Sequence, residues 1–153
     1  MSLESVKKFL ADKANDLSVI ELSESTATVQ LAANALGVEP GQIAKTLSMR
    51  INDDVIVIVA RGDARLDNRK FKERFGVKAK MLDAADVEAR TGHPVGGVCP
   101  FALPDAVSVY CDVSLKAYDE VIPAGGAPNA AVRVSPMRMA DLVNAQWINV
   151  TQS

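Results

Sequence analysis

The chain is short of the side chains that most enzymes use for chemistry. It has one histidine, His93, and two cysteines, Cys99 and Cys111. Two cysteines make no disulfide framework, and reduced thiols are the expectation for a cytoplasmic protein. There is no CxxC, no HExxH and no His/Cys cluster, so no dedicated zinc site is expected. Neither GxGxxG nor GxxxxGK[ST] occurs, which leaves nucleotide-fold readings without support. No apolar run approaches the roughly 18–20 residues of a membrane-spanning helix. The start, MSLESVKKFLADKAND, has no uninterrupted apolar segment of the secretory kind. No membrane association is therefore expected. A formal net charge of −2 argues against a generic nucleic-acid coat. Internal repeats, low-complexity tracts and linkers are absent as well.

What is present fits one globular domain over residues 1–153. The composition is 48% hydrophobic and 24% charged, and the length can bury a sizeable core. Charge is unevenly spread. Residues 45–80 carry ten basic and five acidic side chains, a net +5, which leaves −7 for the rest. A solvated helix face with ion pairs accounts for this pattern, and so does a local footprint for a phosphate backbone.

Periodicity sets the expected elements. Leu3, Val6 and Leu10 predict a helix from Ser2 to about Ala14. Residues 17–22 read as a strand. A helix over 27–36 ends at Gly37, and Val38 to Gly41 form a turn. Strands at 44–51 and 55–60 flank a hairpin-like Asn52-Asp53-Asp54. The second is a continuous β-branched run, the mark of a strand covered on both faces. A basic helix over 67–75 ends at Gly76, a short strand spans 78–82, and Asp83 caps a helix to about Arg90. Strands follow at 107–111, 120–123, 131–134 and 147–150, with a helical turn at 114–118 and a helix starting at Pro136. Short turns between neighbouring strands imply a mixed sheet, not a pure βαβ array.

The stretch Gly92-His93-Pro94-Val95-Gly96-Gly97-Val98-Cys99-Pro100-Phe101 is too rich in Gly and Pro for a helix and too apolar for a solvated loop. His93 and Cys99 could form a nucleophile pair, or be a turn residue and a small buried hydrophobe. Gly96 and Gly97 could hold a carbonyl oxygen with their N–H groups, or simply make a tight turn. Gly125-Gly126 could form a facing wall. Lys45, in Ile43-Ala44-Lys45-Thr46-Leu47, could bind an anion or snorkel to solvent.

Taken in order, the Ala-Lys-Thr-Leu strand, the valine-rich strand, the basic helix, Val95-Gly96-Gly97-Val98-Cys99-Pro100-Phe101 and the Gly-Gly turn resemble the YbaK/EbsC family. That family includes the editing domain of bacterial prolyl-tRNA synthetases and free-standing trans-editing deacylases that serve translation fidelity. The resemblance spans about residues 15–145. It implies an α/β fold, a single domain with a curved mixed β-sheet flanked by helices. It implies hydrolysis of the ester of mischarged aminoacyl-tRNA, often tRNA(Pro) carrying Ala or Cys, without metal or cofactor. The tRNA's own 2′-hydroxyl would assist water. Lys45, Gly96 and Gly97 take the catalytic roles. Val95, Val98, Cys99, Pro100, Phe101, Gly125, Gly126, Ala127 and Asn129 line the substrate site. Some relatives have a histidine just after the second glycine turn, where this chain has Asn129. Arg61, Arg65, Arg69 and Lys70 become acceptor-stem contacts, and a synthetase becomes a candidate delivery partner. A non-catalytic aminoacyl-tRNA-binding module of the same fold is the alternative.

Overall fold

In the computed structural model, which describes residues 2–152, five α-helices, seven strands and two short 3-10 helices are joined by short connections. The central sheet has the order β5-β2-β3-β4-β7 and is mixed and curved. Strands β2 (Ile43–Ile51) and β3 (Asp54–Arg61) form its antiparallel hairpin. Ile51 faces Asp54 across a two-residue turn in which Asn52 takes φ 55, a left-handed value that Asn tolerates in such hairpins. Strand β4 (Ser108–Asp112) runs parallel to β3, and β7 (Gln146–Ile148) parallel to β4. The two-residue β5 (Ile122–Pro123) runs parallel to the start of β2. A separate pair joins β1 (Ile20–Glu21) to β6 (Ala130–Ala131).

The continuous apolar run of β3 is buried along its length because the sheet is covered on both sides. Val59 packs with Val6 and Leu10 of α1 (Ser2–Lys13) and with Met139 of α5 (Pro136–Leu142). Ile56 and Ile58 pack on the other face with Phe71 of α3 (Asn68–Phe75). Side chains that alternate along a strand serve opposite faces, so one strand organises both cores. Helix ends follow local chemistry. The Thr28 hydroxyl accepts from Leu31 N–H at the start of α2 (Val29–Leu36). Asp67 accepts from Arg69 and Lys70 N–H groups at the start of α3. Helix α4 (Ala84–Thr91) begins after Asp83, but that carboxylate makes no capping hydrogen bond.

Several expected strands are shorter than their apolar stretches. Of 17–22 only β1 pairs. The segment 78–82 makes a single bridge, Met81 to Met49, with Arg50 N–H donating to Lys80 O at 2.8 Å and Leu82 N–H to Ser48 O at 2.9 Å. Residues 120–123 and 131–134 reduce to β5, β6 and isolated bridges. These stretches are extended and bonded at points, with Val121 and Val134 exchanging main-chain bonds and Val132 N–H donating to Pro123 O at 3.0 Å, but they do not build long continuous ladders. Among the described residues, no helix is long and apolar enough to cross a membrane.

Asp112 ties the end of the sheet to the C-terminal segment. It is fully buried, and its Oδ1 accepts from Val150 N–H at 2.7 Å. Oδ2 accepts from Ser114 N–H at 3.0 Å and from the Thr151 hydroxyl at 2.8 Å. Replacing Asp112 with Ala strands buried donors and should lower unfolding free energy by about 3 kcal/mol, measured by urea denaturation.

Candidate functional site

A cavity of about 230 Å3 sits on the outer edge of β2. That edge is paired only in part. Ile43 and Ala44 lie beside β5, and Met49 lies beside Met81. Among the described residues nothing is laddered against residues 45–47 on this side, and the cavity occupies the gap. It draws one wall from Thr26 to Val29, Ala32 and Leu36, the run into and along α2. Leu82, Val87, Val98 and the tip residues Val95 and Gly96 supply another, and Ile122 to Ala124 with β6 close the base. Lys45 lines the same cavity, half-buried, and its Nζ donates to the carbonyl of Ala64 in the β3–α3 connection. Burial lowers its pKa from the ordinary lysine value, and the nearby Asp63 carboxylate opposes that shift.

The Gly-rich loop is a built turn. Gly97 N–H donates to Pro94 O at 2.9 Å, and Gly96 sits at φ +87. This is the geometry of a type II turn, whose third position favours glycine. It puts Val95, 60% exposed, at the tip. Gly97 fits for a second reason. A Cβ there would lie 2.7 Å from Ala127 N and 2.9 Å from the Gly126 carbonyl carbon, so the two glycine turns touch main chain to main chain. The Gly97 N–H is thus used inside the loop, and only Gly96 of the pair lines the cavity.

The other expected site residues divide. Val95 and Val98 line the cavity with Lys45 and Gly96. Cys99 and Phe101 are fully buried in the core that α1 covers, and Pro100 lines a separate groove with Phe9 and Lys13. Gly125 and Gly126 pack against Val19, Val6 and Ser2, and Ala127 backs onto Gly97, so none of the three lines the cavity. Asn129 is exposed and donates from Nδ2 to Leu22 O at 2.9 Å. The sequence reading missed the wall from Thr26 to Leu36 and the hydroxyls of Thr46 and Ser48. Alternation of Ala44, Thr46 and Ser48 along β2 was the one available signal for the latter.

Residues 23–142 match the aminoacyl-tRNA editing domain. The chain belongs to that family. Editing of aminoacyl-tRNA is accordingly its general activity, and aminoacyl-tRNA its class of substrate. The chain is 44% identical to YwhH of Bacillus subtilis (strain 168) over 98% of its own length and 97% of that protein. It is 29% identical to the Enterococcus faecalis (strain ATCC 700802 / V583) protein named "Putative Cys-tRNA(Pro)/Cys-tRNA(Cys) deacylase EbsC", over 84% of this chain and 80% of that one. A crystal structure described as "a putative trans-editing enzyme for prolyl tRNA synthetase" superposes with a TM-score of 0.90 at 32% identity, covering 99% of this chain and 98% of the other.

For an editing domain, the surroundings of the cavity matter in two respects. The first is that His93 and Cys99 form no nucleophile pair. His93 is 1% exposed, and its Nε2 lies 2.8 Å from Phe101 O. A carbonyl only accepts, so Nε2 carries the proton and Nδ1 accepts from the Ser2 hydroxyl at 2.5 Å. Nε2 therefore cannot act as base toward Cys99 Sγ, 3.6 Å away, and burial pushes that thiol up to about 12. The second is a polar groove beyond Ala64, lined by Arg61, Arg65, Ser114, Asn149 and Thr151. Lys70 reaches the same edge, donating to Thr151 O at 2.7 Å. Arg61 pairs with Asp63 at 2.5 Å, and Arg69 pairs with Glu73 at 3.1 Å on exposed α3.

Burial holds His93 below the ordinary imidazole value of 6.5, against the Phe101 carbonyl, which favours the charged ring. The neutral ring contributes stability in full above that value, and the contribution is lost as pH falls through the folded-state pKa. Unfolding free energy should therefore drop by up to about 1.4 kcal/mol per pH unit on acidification from about pH 6.5. The step should vanish in His93→Gln, with denaturant midpoints followed across pH.

Proposed function

We propose that this editing domain is a free-standing hydrolase that cleaves the ester between a wrong, small amino acid and the 3′ end of tRNA. The substrate would be tRNA(Pro), with alanine or cysteine as the amino acids the family resemblance suggests. The observation that carries this reading is the small apolar cavity on the open β2 edge, where Lys45 meets the turn of Val95 and Gly96. An aminoacyl ester is already activated, so its hydrolysis requires a placed water and a polarised carbonyl more than a protein nucleophile. That agrees with a buried Cys99 and a His93 committed to Phe101.

In this reading Lys45 anchors the 3′-terminal nucleotide, and the Gly96 N–H bonds the ester carbonyl as it gains negative charge. Gly97 holds the turn in shape through Pro94. The terminal 2′-hydroxyl orients the attacking water. Water adds to the carbonyl carbon, the ester C–O bond breaks, and the free amino acid and the tRNA 3′-hydroxyl leave. The cavity excludes larger side chains by size, the second sieve that a synthetase pocket alone cannot supply. Arg61, Arg65, Arg69 and Lys70 follow the acceptor strand from the groove beside Ala64. Such chemistry belongs in the cytoplasm, and a synthetase is a fitting source of substrate.

Ala-, Cys-, Ser-, Thr- and Pro-tRNA(Pro) should be compared as substrates under multiple turnover. At least one mischarged species should be hydrolysed catalytically while Pro-tRNA(Pro) is spared. Lys45→Ala, folded by circular dichroism, should lose about tenfold to hundredfold in kcat/KM. Tight binding with no turnover would instead leave a binding module. Affinity should also fall with salt, and Arg65→Ala should reduce the log–log salt slope by about one phosphate's worth.

A further inference from the structure

The cavity contains a polar stripe that hydrolysis of an ester does not by itself require. Ala44, Thr46 and Ser48 leave β2 on the same side and all line the cavity. The Thr46 hydroxyl is buried and has no hydrogen-bond partner among the described residues. Ser48 is 5% exposed and lines the cavity on the same side. The facing walls are largely aliphatic, with Val29, Ala32, Val98, Ile122 and Ala131 among them, and the hydroxyls of Thr26 and Thr28 there are bonded to Pro128 O and Leu31 N–H. A hydroxyl withdrawn from water without a new partner bears its full desolvation penalty, and a bound group that can bond it recovers that penalty.

Among the described residues, nothing bonds the outward main chain of Thr46 either. Arg50 N–H and Ser48 O bond outward, to Lys80 O and Leu82 N–H. Peptide groups alternate between the two edges of an antiparallel strand, so the even-numbered residues of β2 turn theirs away from β3. Ala44 is matched by Pro123 of β5 and Ser48 by Leu82. Thr46 lies between them, at the one even-numbered position where the outer ladder is interrupted.

The geometry points to Thr46 as the residue that reads the amino acid. Its outward N–H and C=O hold the aminoacyl main chain, as a short added strand would. Its hydroxyl, with that of Ser48, bonds a polar atom carried on the substrate's Cβ. The site then ranks small side chains by that atom. Serine comes first. Cysteine follows, because a thiol is a weak donor and acceptor. Alanine comes last, because it leaves the Thr46 hydroxyl unmatched. This inference rests on the editing reading for its ester substrate and departs from it over the side chain, placing serine ahead of the cysteine and alanine that the family resemblance suggests.

The test uses the full chain and two stable amide analogues, 3′-serylamino- and 3′-alanylamino-3′-deoxyadenosine, titrated by calorimetry. The seryl analogue should bind at least about tenfold more tightly. Thr46→Val, which keeps the shape and removes the hydroxyl, should bring the two within about twofold by weakening the seryl analogue alone. Thr46→Ser should restore the preference, which covers the case in which the valine variant does not fold. Equal affinities, an alanyl preference, no binding of either analogue, or a preference that survives in Thr46→Val would each overturn the assignment. Hydrolysis of Ala-tRNA in preference to Ser-tRNA would also overturn it while leaving the editing reading intact. A seryl preference in binding with no hydrolysis of any aminoacyl-tRNA would sink the editing reading and leave the role of Thr46 standing.

Discussion

Strand β2 is fully paired on one side and interrupted on the other, and the site is a consequence of that interruption. Its inner edge is zipped to β3 along the whole hairpin, which fixes its position and register. Its outer edge meets β5 at one end and the Met81 segment at the other. Unpaired strand edges are normally covered, charged or shortened. Here the flanking segments cover both ends, and α2 with the Val95–Val98 loop roofs the middle across the cavity. The result is a hydrogen-bonding edge lodged in an apolar cavity.

The roof keeps its shape by contacts that involve little side-chain freedom. The Val95-Gly96 turn is closed by a main-chain bond, and Gly97 backs onto the Gly126-Ala127 peptide. Behind it, Ser2 of α1 bonds His93 and packs against Gly126, so one helix terminus supports both glycine turns. A site that works by placing water and a carbonyl depends on such rigidity, since a reacting group displaced by an ångström loses much of the gain from proximity. The same arrangement explains why the chain's only histidine lies outside the cavity. It is a structural imidazole whose two nitrogens are both occupied.

Lys45 has a similar double attachment. By strand alternation its side chain leaves β2 opposite to Thr46, yet it borders the cavity because the cavity wraps the strand's free edge. Its bond to Ala64 connects that edge to the loop that lines the Arg61–Arg65 groove. The apolar pocket and the polar groove thus adjoin through one lysine and one carbonyl, an arrangement suited to a substrate that is a small aminoacyl group at one end and a polyanion at the other.

Much of the architecture was legible in the chain itself. Gly37, Gly76 and Gly92 end helices where the glycines fall, the β-branched run from Val55 to Ala60 is covered on both faces, and the order of motifs gave the family. These signals are local, because caps, turns and strand alternation depend on residues a few positions apart. The hairpin could likewise be read from Asn52-Asp53, whose turn chemistry needs no partner. The walls of the cavity could not. Thr26 to Leu36, Thr46, Ser48 and Ile122 become neighbours only because β5 and the Met81 segment dock on the same strand edge and stop short of each other. Cys99 and Phe101 look like pocket residues in the sequence and are core residues in the fold, because a turn at Pro94–Gly97 and contact with α1 carry them inward. The sequence by itself determined which elements form and where they end. Tertiary structure alone decided which edge stayed open, since an unpaired edge is defined by what fails to reach it.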